Sequence, residues 1–207
     1  MGTFWAWAYQ SLVISWRLQL TGREKIPWNR PVVLVANHRS YVDILALYKV
    51  RRPFKWVSKA ENFKTPFIGM VLSLTNCVRI QRGSIRAGHQ FISQAEMEMK
   101  KGSSVMIFPE GSRSKTGKMR SFQDGAFVLA KKMNCGIIPI AHIGTEKALH
   151  SGKDSWVIQG KTNINISILD EISAEQVLEM EVDELKSHVY GLLEEEIEQL
   201  ENQNNSR

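Results

Sequence analysis

The chain has 207 residues, of which 43% are hydrophobic and 23% charged, so it is long enough to bury one core and is typical of a globular domain rather than a disordered segment. Its net charge of +6 is unevenly distributed: positions 170–207 hold twelve acidic and two basic residues, and the preceding positions hold 25 basic and 9 acidic ones. A basic body attracts phosphate groups on nucleic acid, on an anionic membrane or on a substrate. Cys77 and Cys135 lack the spacing of a metal site, and we expect reduced thiols.

The first predicted element is an N-terminal helix over residues 1–22 that lies in a membrane interface. The stretch TFWAWAYQSLVISWRLQL combines Trp and Tyr with Leu, Val and Ile, and Trp and Tyr rings favour the boundary between lipid and water. The charge at Arg17 leaves fewer than the ~20 apolar residues that a spanning helix needs. The features of a secretory signal are missing. The alternatives are an amphipathic core helix and a spanning segment completed by a partner or by extra residues.

An α/β body is predicted over residues 23–170, because apolar runs of strand length alternate with segments of helical period. Helices are predicted at 84–102 and 124–136. The apolar runs are nearly continuous, which favours a sheet covered on both faces; they lie at 32–37, 54–58, 103–109, 136–144 and 164–169. The predicted fold class is therefore α/β, a two-layer or sandwich-like mixed sheet flanked by helices.

The last predicted element is an acidic C-terminal helix over residues 171–207 that packs on the body. Ser173 and Gln176 have the spacing of a capping box at its start. One apolar stripe then follows at Val182, Leu185, Val189, Leu192 and Leu193.

The stretch NHRSYVD, residues 37–43, follows the first run of the body and supports two interpretations. In the first, Ser40 and Asp43 form the S-x-x-D pattern of a helix cap, and His38 is an ordinary loop residue. In the second, the turn brings Asp43 back to Nδ1 of His38, where a carboxylate fixes the tautomer and leaves Nε2 as a base. A base held by an orienting group at the end of a strand is common in α/β enzymes.

Two further stretches could bind an anion, or be ordinary surface. VMIFPEGSRS, residues 105–114, ends a predicted strand in a polar turn, where Gly111 permits close backbone approach, Ser112 offers a hydroxyl and Arg113 a fork of donors. The segment 59–84 has an apolar middle between Lys59 at one end and two arginines, Arg79 and Arg82, near the other. Taken alone, the first stretch could instead be an exposed polar turn, and the second could be solvated charges that flank a core helix and strand.

Together the three stretches resemble the sequence blocks of the glycerolipid acyltransferase family, in particular the bacterial 1-acyl-glycerol-3-phosphate acyltransferases. The first block, N-H-x4-D, is matched at residues 37–43, and the third, F-P-E-G-[ST]-R-S, is matched without a gap at 108–114. The second block (K-x-E…P-x-x-G…R-x-x-R) and the fourth (apolar-Pro-apolar) are matched by Lys59, Glu61, Pro66, Gly69, Arg79, Arg82, Ile138, Pro139 and Ile140. The resemblance spans about half of the chain, residues 31–144.

The resemblance implies a glycerol-3-phosphate-acyltransferase-like fold and direct transfer of a fatty acyl group to the free hydroxyl of lysophosphatidic acid. The donor would be a thioester, acyl-CoA or acyl carrier protein, as co-substrate, with no other cofactor and no metal. His38 would be the general base and Asp43 its orienting partner, while Glu110 would hold a basic residue or the acceptor's glycerol. The residues expected to bind substrate are Lys59, Arg79, Arg82, Glu110, Gly111, Ser112 and Arg113.

The implied substrates also predict a location and partners. Both carry long acyl chains, so we expect peripheral or monotopic attachment at the cytoplasmic face of the cell membrane. The expected partners are a membrane lipid acceptor, an anionic membrane surface and, for one of the two donors, acyl carrier protein. Nucleic acid is not expected, because aromatic residues do not interleave with the basic ones.

Three alternatives stay open at this point. A hydrolase could use Ser40 or Ser112 as a nucleophile with His38 and Asp43, and would form an acyl-enzyme. A non-catalytic module could bind lipid or nucleic acid independently of His38. Within acyl transfer, the acceptor could be glycerol 3-phosphate, another lysophospholipid or a lyso-aminolipid. The remaining histidines match no motif and are interpreted as structural: His89, His142, His150 and His188.

Overall fold

The computed structural model describes residues 16–64, 68–81, 85–114, 116–151, 156–158 and 161–205. Nine strands are described: β1 (Trp16–Thr21), β2 (Val33–Ala36), β3 (Phe54–Lys59), β4 (Val78–Ile80), β5 (Ser104–Ile107), β6 (Ile137–Ile143), β7 (Leu149–Ser151), β8 (Trp156–Ile158) and β9 (Thr162–Ile168). Seven of them form one sheet in the order β1-β9-β6-β2-β5-β3-β4, and β7 pairs with β8. The sheet is mixed, because β9 runs antiparallel to β6 while the other neighbouring strands pair in parallel.

Helices flank this sheet, which confirms the predicted fold class. They are α1 (Val42–Leu47), α2 (Ile68–Leu74), α3 (Ile85–Lys100), α4 (Gly125–Met133), α5 (Thr145–Ala148), α6 (Ala174–Glu179) and α7 (Val182–Asn205). Short 3-10 turns lie at Arg23–Lys25, Tyr48–Val50 and Ala60–Lys64. Among the described residues, no helix combines the length and the apolar character needed to cross a bilayer.

Both faces of the central strands are buried, as the continuous apolar runs predict. Val33 and Val35 of β2 belong to one core cluster, which also contains buried side chains of α3, α4 and α7. Leu34 and Ala36 of the same strand belong to a second cluster, which contains side chains of α1 and β9. Because successive side chains of a strand point to opposite faces, a four-residue strand contributes to two cores.

The parallel pairing gathers several loops at one edge of the sheet. Strand β2 lies between β6 and β5, and both pair with it in parallel. The carboxyl ends of these three strands therefore meet at the same edge, where ligands bind in open α/β sheets. The loop from β2 begins at Asn37, and the loop from β5 begins at Phe108.

The N-terminal prediction is wrong for residues 16–21, which form strand β1 at the edge of the sheet instead of the end of a helix. Strand β1 pairs in parallel with β9 from Trp16 to Thr21. Trp16 is buried and the following residues alternate in exposure, which is the period of a strand rather than of a helix. Gly22 follows the strand with a φ of +74°, and a side chain would not fit there because its Cβ would lie 2.2 Å from the carbonyl oxygen of Ile168. The rest of the predicted interfacial helix, residues 1–15, lies outside the described residues.

The acidic C-terminal segment forms two helices, α6 and α7, rather than one. The capping box at Ser173 and Gln176 is present at the start of α6. This helix ends where Met180 is extended, and Nζ of Lys131 donates hydrogen bonds to the carbonyls of Val177, Leu178 and Met180. Helix α7 then packs its apolar stripe on the sheet, with Leu185, Val189 and Leu193 buried.

Candidate active site

His38 and Asp43 are in direct contact at the end of β2. Nδ1 of His38 donates a hydrogen bond to Oδ2 of Asp43 over 2.7 Å. The side chain of Asp43 is fully buried, and that of His38 is 16% exposed. The hydrogen bond occupies Nδ1 and so leaves Nε2 as the ring nitrogen that can act as a base. The orientation predicted from NHRSYVD is present in the structure.

The same carboxylate also accepts two backbone N–H groups of the loop before α1, one of them in the S-x-x-D spacing of Ser40 and Asp43, although the side chain of Tyr41, the residue before the helix, does not cap it. Besides His38, Oδ2 of Asp43 accepts the backbone N–H groups of Arg39, over 2.7 Å, and Ser40, over 2.9 Å. Burial alone would raise the pKa of Asp43, but the neighbouring His142 and the hydrogen bond from His38 outweigh it and lower the pKa. Asp43 is therefore an ionised, fixed acceptor for His38.

His142, which sequence analysis interpreted as structural, lies directly behind Asp43. Its Nδ1 is 3.8 Å from Oδ1 of Asp43, and both side chains are fully buried. Nε2 of His142 donates to the carbonyl of Asn37 over 2.7 Å, and the side chain of Asn37 exchanges two more hydrogen bonds with the backbone of His142. Burial lowers the pKa of His142, and the charge of Asp43 opposes this shift. A polar residue inside the apolar run IIPIAHI was the one signal of this position in the sequence.

Glu110 joins the loop that follows β5 to the loop that carries His38. Its Oε1 accepts the backbone N–H of His38 over 2.7 Å, and its Oε2 accepts that of Arg120 over 2.9 Å. The carbonyl of His38 in turn accepts the N–H of Ser114 over 2.9 Å. Burial raises the pKa of Glu110, although the two backbone donors oppose it. The resemblance implied a basic side chain or the acceptor's glycerol as the partner of Glu110, whereas in the structure its two carboxylate oxygens accept backbone N–H groups.

Aromatic side chains surround the imidazole and the loop. The ring of His38 stacks on Phe108, with 4.0 Å between ring centroids and 9° between planes. Phe108 stacks in turn on Trp56, at 5.2 Å. The guanidinium of Arg113 lies 3.6 Å above the ring of Tyr41, which precedes α1. The turn of Gly111, Ser112 and Arg113 is thus held beside the loop of His38.

Lys59 and Arg79 lie farther along the sheet. Lys59 ends β3, and Arg79 lies in β4 opposite Ser58. Because neighbouring strands are about 4.8 Å apart, β3 and β4 lie roughly 10 and 14 Å from β2. The guanidinium of Arg79 lies 4.3 Å from the ring centroid of Phe63. Arg82 lies outside the described residues.

The described part of the chain contains no group of three or more His, Cys, Asp and Glu side chains that could hold a metal ion. What the site offers is a partly exposed imidazole oriented through its Nδ1, a polar turn with an arginine, and aromatic side chains packed against the imidazole. This arrangement can remove a proton from a hydroxyl group and bind an anion beside it.

Known proteins are similar to this chain in sequence. The Acyltransferase family matches residues 17–143, so the chain belongs to that family. The chain is 39% identical over 159 residues to a 1-acyl-sn-glycerol-3-phosphate acyltransferase of Chlamydomonas reinhardtii, covering 76% of this chain and 48% of the relative. It is 34% identical over 161 residues to a chloroplastic enzyme of the same name from Arabidopsis thaliana, covering 77% and 45%. The chain thus spans about half the length of these relatives.

A solved structure resembles the fold over nearly the whole chain. It is the crystal structure of the 1-acyl-sn-glycerophosphate (LPA) acyltransferase PlsC from Thermotoga maritima. The two superpose with a TM-score of 0.80 at 24% sequence identity, covering 97% of this chain and 78% of the other. This likeness supports the overall architecture, including the seven-stranded sheet.

Proposed function

We propose that this protein transfers a fatty acyl group from a thioester to the free hydroxyl of a 1-acyl-glycerol-3-phosphate, giving phosphatidic acid. The names of the relatives support the acceptor. The observation that carries the mechanism is the 2.7 Å contact between Nδ1 of His38 and Oδ2 of Asp43, at the edge where β2 and β5 end.

The reaction needs one base and no nucleophile from the protein. Nε2 of His38 takes the proton of the acceptor hydroxyl as its oxygen forms a bond to the thioester carbonyl carbon. The tetrahedral intermediate then collapses, the carbon–sulfur bond breaks, and the departing thiolate takes the proton back from His38. Asp43 stabilises the imidazolium in between, because its charge lies at hydrogen-bonding distance.

The acceptor's phosphate is assigned to the basic residues around this edge. Of the residues predicted to bind substrate, Arg113 lies in the loop after β5 that Glu110 joins to the loop of His38, and its guanidinium is stacked on Tyr41. Lys59 on β3 and Arg79 on β4 are assigned to the same phosphate, as is Arg82, which lies outside the described residues. The backbone of Gly111 and the hydroxyl of Ser112 are further donors. A planar guanidinium suits phosphate oxygens because it offers paired donors.

Direct transfer is preferred over an acyl-enzyme on Ser40 because of where Ser40 lies. Ser40 is 5% exposed, and its Oγ accepts the backbone N–H of Val42 over 3.3 Å. Its hydroxyl therefore supports the start of α1. A hydrolase that used Ser40 would have to break this contact before it could attack a substrate.

The donor, acyl-CoA or acyl carrier protein, and the location at the cytoplasmic face of a membrane belong to the same proposal. Their support is chemical: the acceptor is a membrane lipid, and the body of the protein carries an excess of basic residues that suits an anionic surface.

The test is an acyl-transfer assay of the purified protein in detergent, with each thioester donor and with lysophosphatidic acid, glycerol 3-phosphate and a lysophospholipid as acceptors. We expect phosphatidic acid as the main product and a loss of about 10²–10⁴-fold in kcat for His38→Ala, since a general base contributes that much. The control is His89→Ala, which changes an exposed histidine of α3. Normal turnover of His38→Ala, or a burst of acyl-enzyme, would refute the mechanism.

A further inference from the structure

Helix α7 reaches the loop that carries His38 through one ion pair. Nη2 of Arg39 donates to Oε1 of Glu201 over 2.8 Å, and these residues are 162 positions apart in the chain. Glu146, at the start of α5, lies on the other side, with 3.7 Å between its Oε1 and Nη1 of Arg39. The loop after β2 is therefore linked to the far end of the acidic segment.

The side chain of Arg39 has little freedom and few other partners. It is 8% exposed, whereas Glu201 is 47% exposed. Its Nε is buried without a hydrogen-bond partner among the described residues. A cation so enclosed needs a negative charge beside it, and Glu201 supplies the shorter of its two ion pairs.

Arg39 is joined to the candidate active site through its backbone. It follows His38 directly, and its N–H donates to the same Oδ2 of Asp43 that receives Nδ1 of His38. A displacement of Arg39 therefore moves a donor that fixes the carboxylate. Its charge also acts on the buried site, because it contributes to lowering the pKa of His142.

Glu201 lies on an anchored part of its helix. Ile197 and Leu200 are buried in the core cluster that α7 shares with the sheet. Glu201 follows Leu200 directly, so the packing of that turn determines where the carboxylate lies. By contrast, Glu198 in the same turn is exposed.

We propose that Glu201 is a positioning residue, which acts through Arg39 to hold the loop of His38 and Asp43 in its working conformation. The acidic C-terminal helix then does more than cover the sheet: one of its carboxylates completes the support of the active site. This inference rests on the proposed function, because its kinetic effect is measured in the acyl-transfer reaction.

The experiment compares Glu201→Gln with Glu198→Gln, which removes the same charge from the same turn of the helix. An ion pair with one exposed partner is expected to change kcat by about two- to five-fold. We expect that loss in Glu201→Gln, with an unchanged Michaelis constant for the acceptor, and wild-type kinetics in Glu198→Gln. Thermal unfolding of both variants should stay close to that of the wild type.

A double-mutant cycle with Arg39→Gln tests whether the kinetic effect of Glu201→Gln is transmitted through Arg39. If Glu201 acts through Arg39, the double variant is no slower than Arg39→Gln alone. Equal kcat values for Glu201→Gln and Glu198→Gln would overturn the inference, and so would losses that add in the double variant.

A readout without turnover separates this inference from the proposed function. The proton between Nδ1 of His38 and Asp43 should give a downfield signal in the proton NMR spectrum, which His38→Ala identifies by its loss. We expect Glu201→Gln to broaden or shift this signal and Glu198→Gln to leave it unchanged. A shifted signal in a protein that transfers no acyl group would contradict the proposed function alone, whereas an unchanged signal contradicts the positioning role.

Discussion

Replacing Asp43 with Asn should remove the charge beside His38 while keeping the hydrogen bonds around it. The amide oxygen can take the place of Oδ2 and accept the same three donors, from His38, Arg39 and Ser40. The amide nitrogen then takes the place of Oδ1 and faces Nδ1 of His142. In the neutral ring of His142, Nδ1 is an acceptor, because Nε2 carries the proton that is donated to the carbonyl of Asn37. The three donors to Oδ2 thus keep an acceptor, whereas the amide nitrogen brings two N–H groups to a buried position where Nδ1 of His142, 3.8 Å away, is the neighbouring acceptor.

The expected effect on stability is moderate, because an unpaired buried N–H of the new amide costs about 1–3 kcal/mol, and the effect on catalysis is large. Each hydrogen bond to a charged group contributes about 1 kcal/mol more than one to a neutral group. The three bonds to Asp43 thus lose about 3 kcal/mol, which is offset because a buried charge no longer needs to be desolvated. During the reaction, however, the imidazolium of His38 lacks its counter-charge. Removing one partner of a buried ion pair costs about 3–5 kcal/mol, which corresponds to a loss of about 10²–10⁴-fold in kcat.

The assay is the initial rate of acyl transfer together with thermal unfolding of the purified variants. Asp43→Ala is the matched comparison, because it leaves the three donors unpaired at about 1–3 kcal/mol each and should unfold the site. Asp43→Asn is expected to remain folded and nearly inactive. A folded Asp43→Asn variant with a rate near the wild type would show that the charge of Asp43 is not used.

Three further predictions concern pH, the acceptor and the membrane. Burial lowers the pKa of His142 from 6.5, so below about pH 6.5 this imidazole is protonated in the unfolded chain before it is protonated in the folded protein. The free energy of unfolding should therefore fall as the pH drops below about 6.5. His142→Gln keeps a donor for Asn37 and should lose less stability over that range than the control His89→Gln, measured as melting temperature against pH. Arg82→Ala should raise the Michaelis constant for the phosphorylated acceptor several-fold; a fall in kcat alone would exclude a role in phosphate binding. Deletion of residues 1–15 should reduce sedimentation with anionic vesicles, and undiminished binding would place the anchor elsewhere in the protein.

The parts of the site that sequence analysis predicted are those encoded over short distances along the chain. His38 and Asp43 are five residues apart, and a single turn at the start of α1 brings them together. The turn of Gly111, Ser112 and Arg113 follows an apolar run whose length predicted a strand, which the structure shows as β5. The length of the apolar runs indicated that both faces of the sheet are covered.

Contacts between distant residues could not be predicted in this way. His142 reaches Asp43 because β6 pairs with β2 in parallel, with Ala36 opposite Ile140. A shift of that register by one residue would turn the imidazole to the other face of the sheet. Likewise, the contact between Arg39 and Glu201 depends on how α7 crosses the sheet. Neither the register nor the crossing is determined by local composition.

The error at the N terminus has a different physical cause. The aromatic and aliphatic residues near Trp16 fit an interfacial helix and a strand equally well by composition, since both bury such side chains on one side. Residues 16–21 form a strand because β9 presents an edge of unpaired backbone groups, and β1 pairs with this edge along six residues. Strand formation at a sheet edge is a tertiary event, so a short apolar stretch does not reveal it.

Three ionisable side chains are buried at one edge of the sheet, and a contribution to stability does not account for their presence there. Asp43 and His142 are fully buried, and Glu110 is 5% exposed. Apolar residues of similar size would avoid the desolvation of these groups and are often as stable or more so. Here the two carboxylates accept backbone N–H groups from a single loop, that of His38, Arg39 and Ser40. The polar groups therefore fix the backbone around one imidazole. We interpret the lower stability of a polar interior at this edge as the cost of placing His38 rigidly.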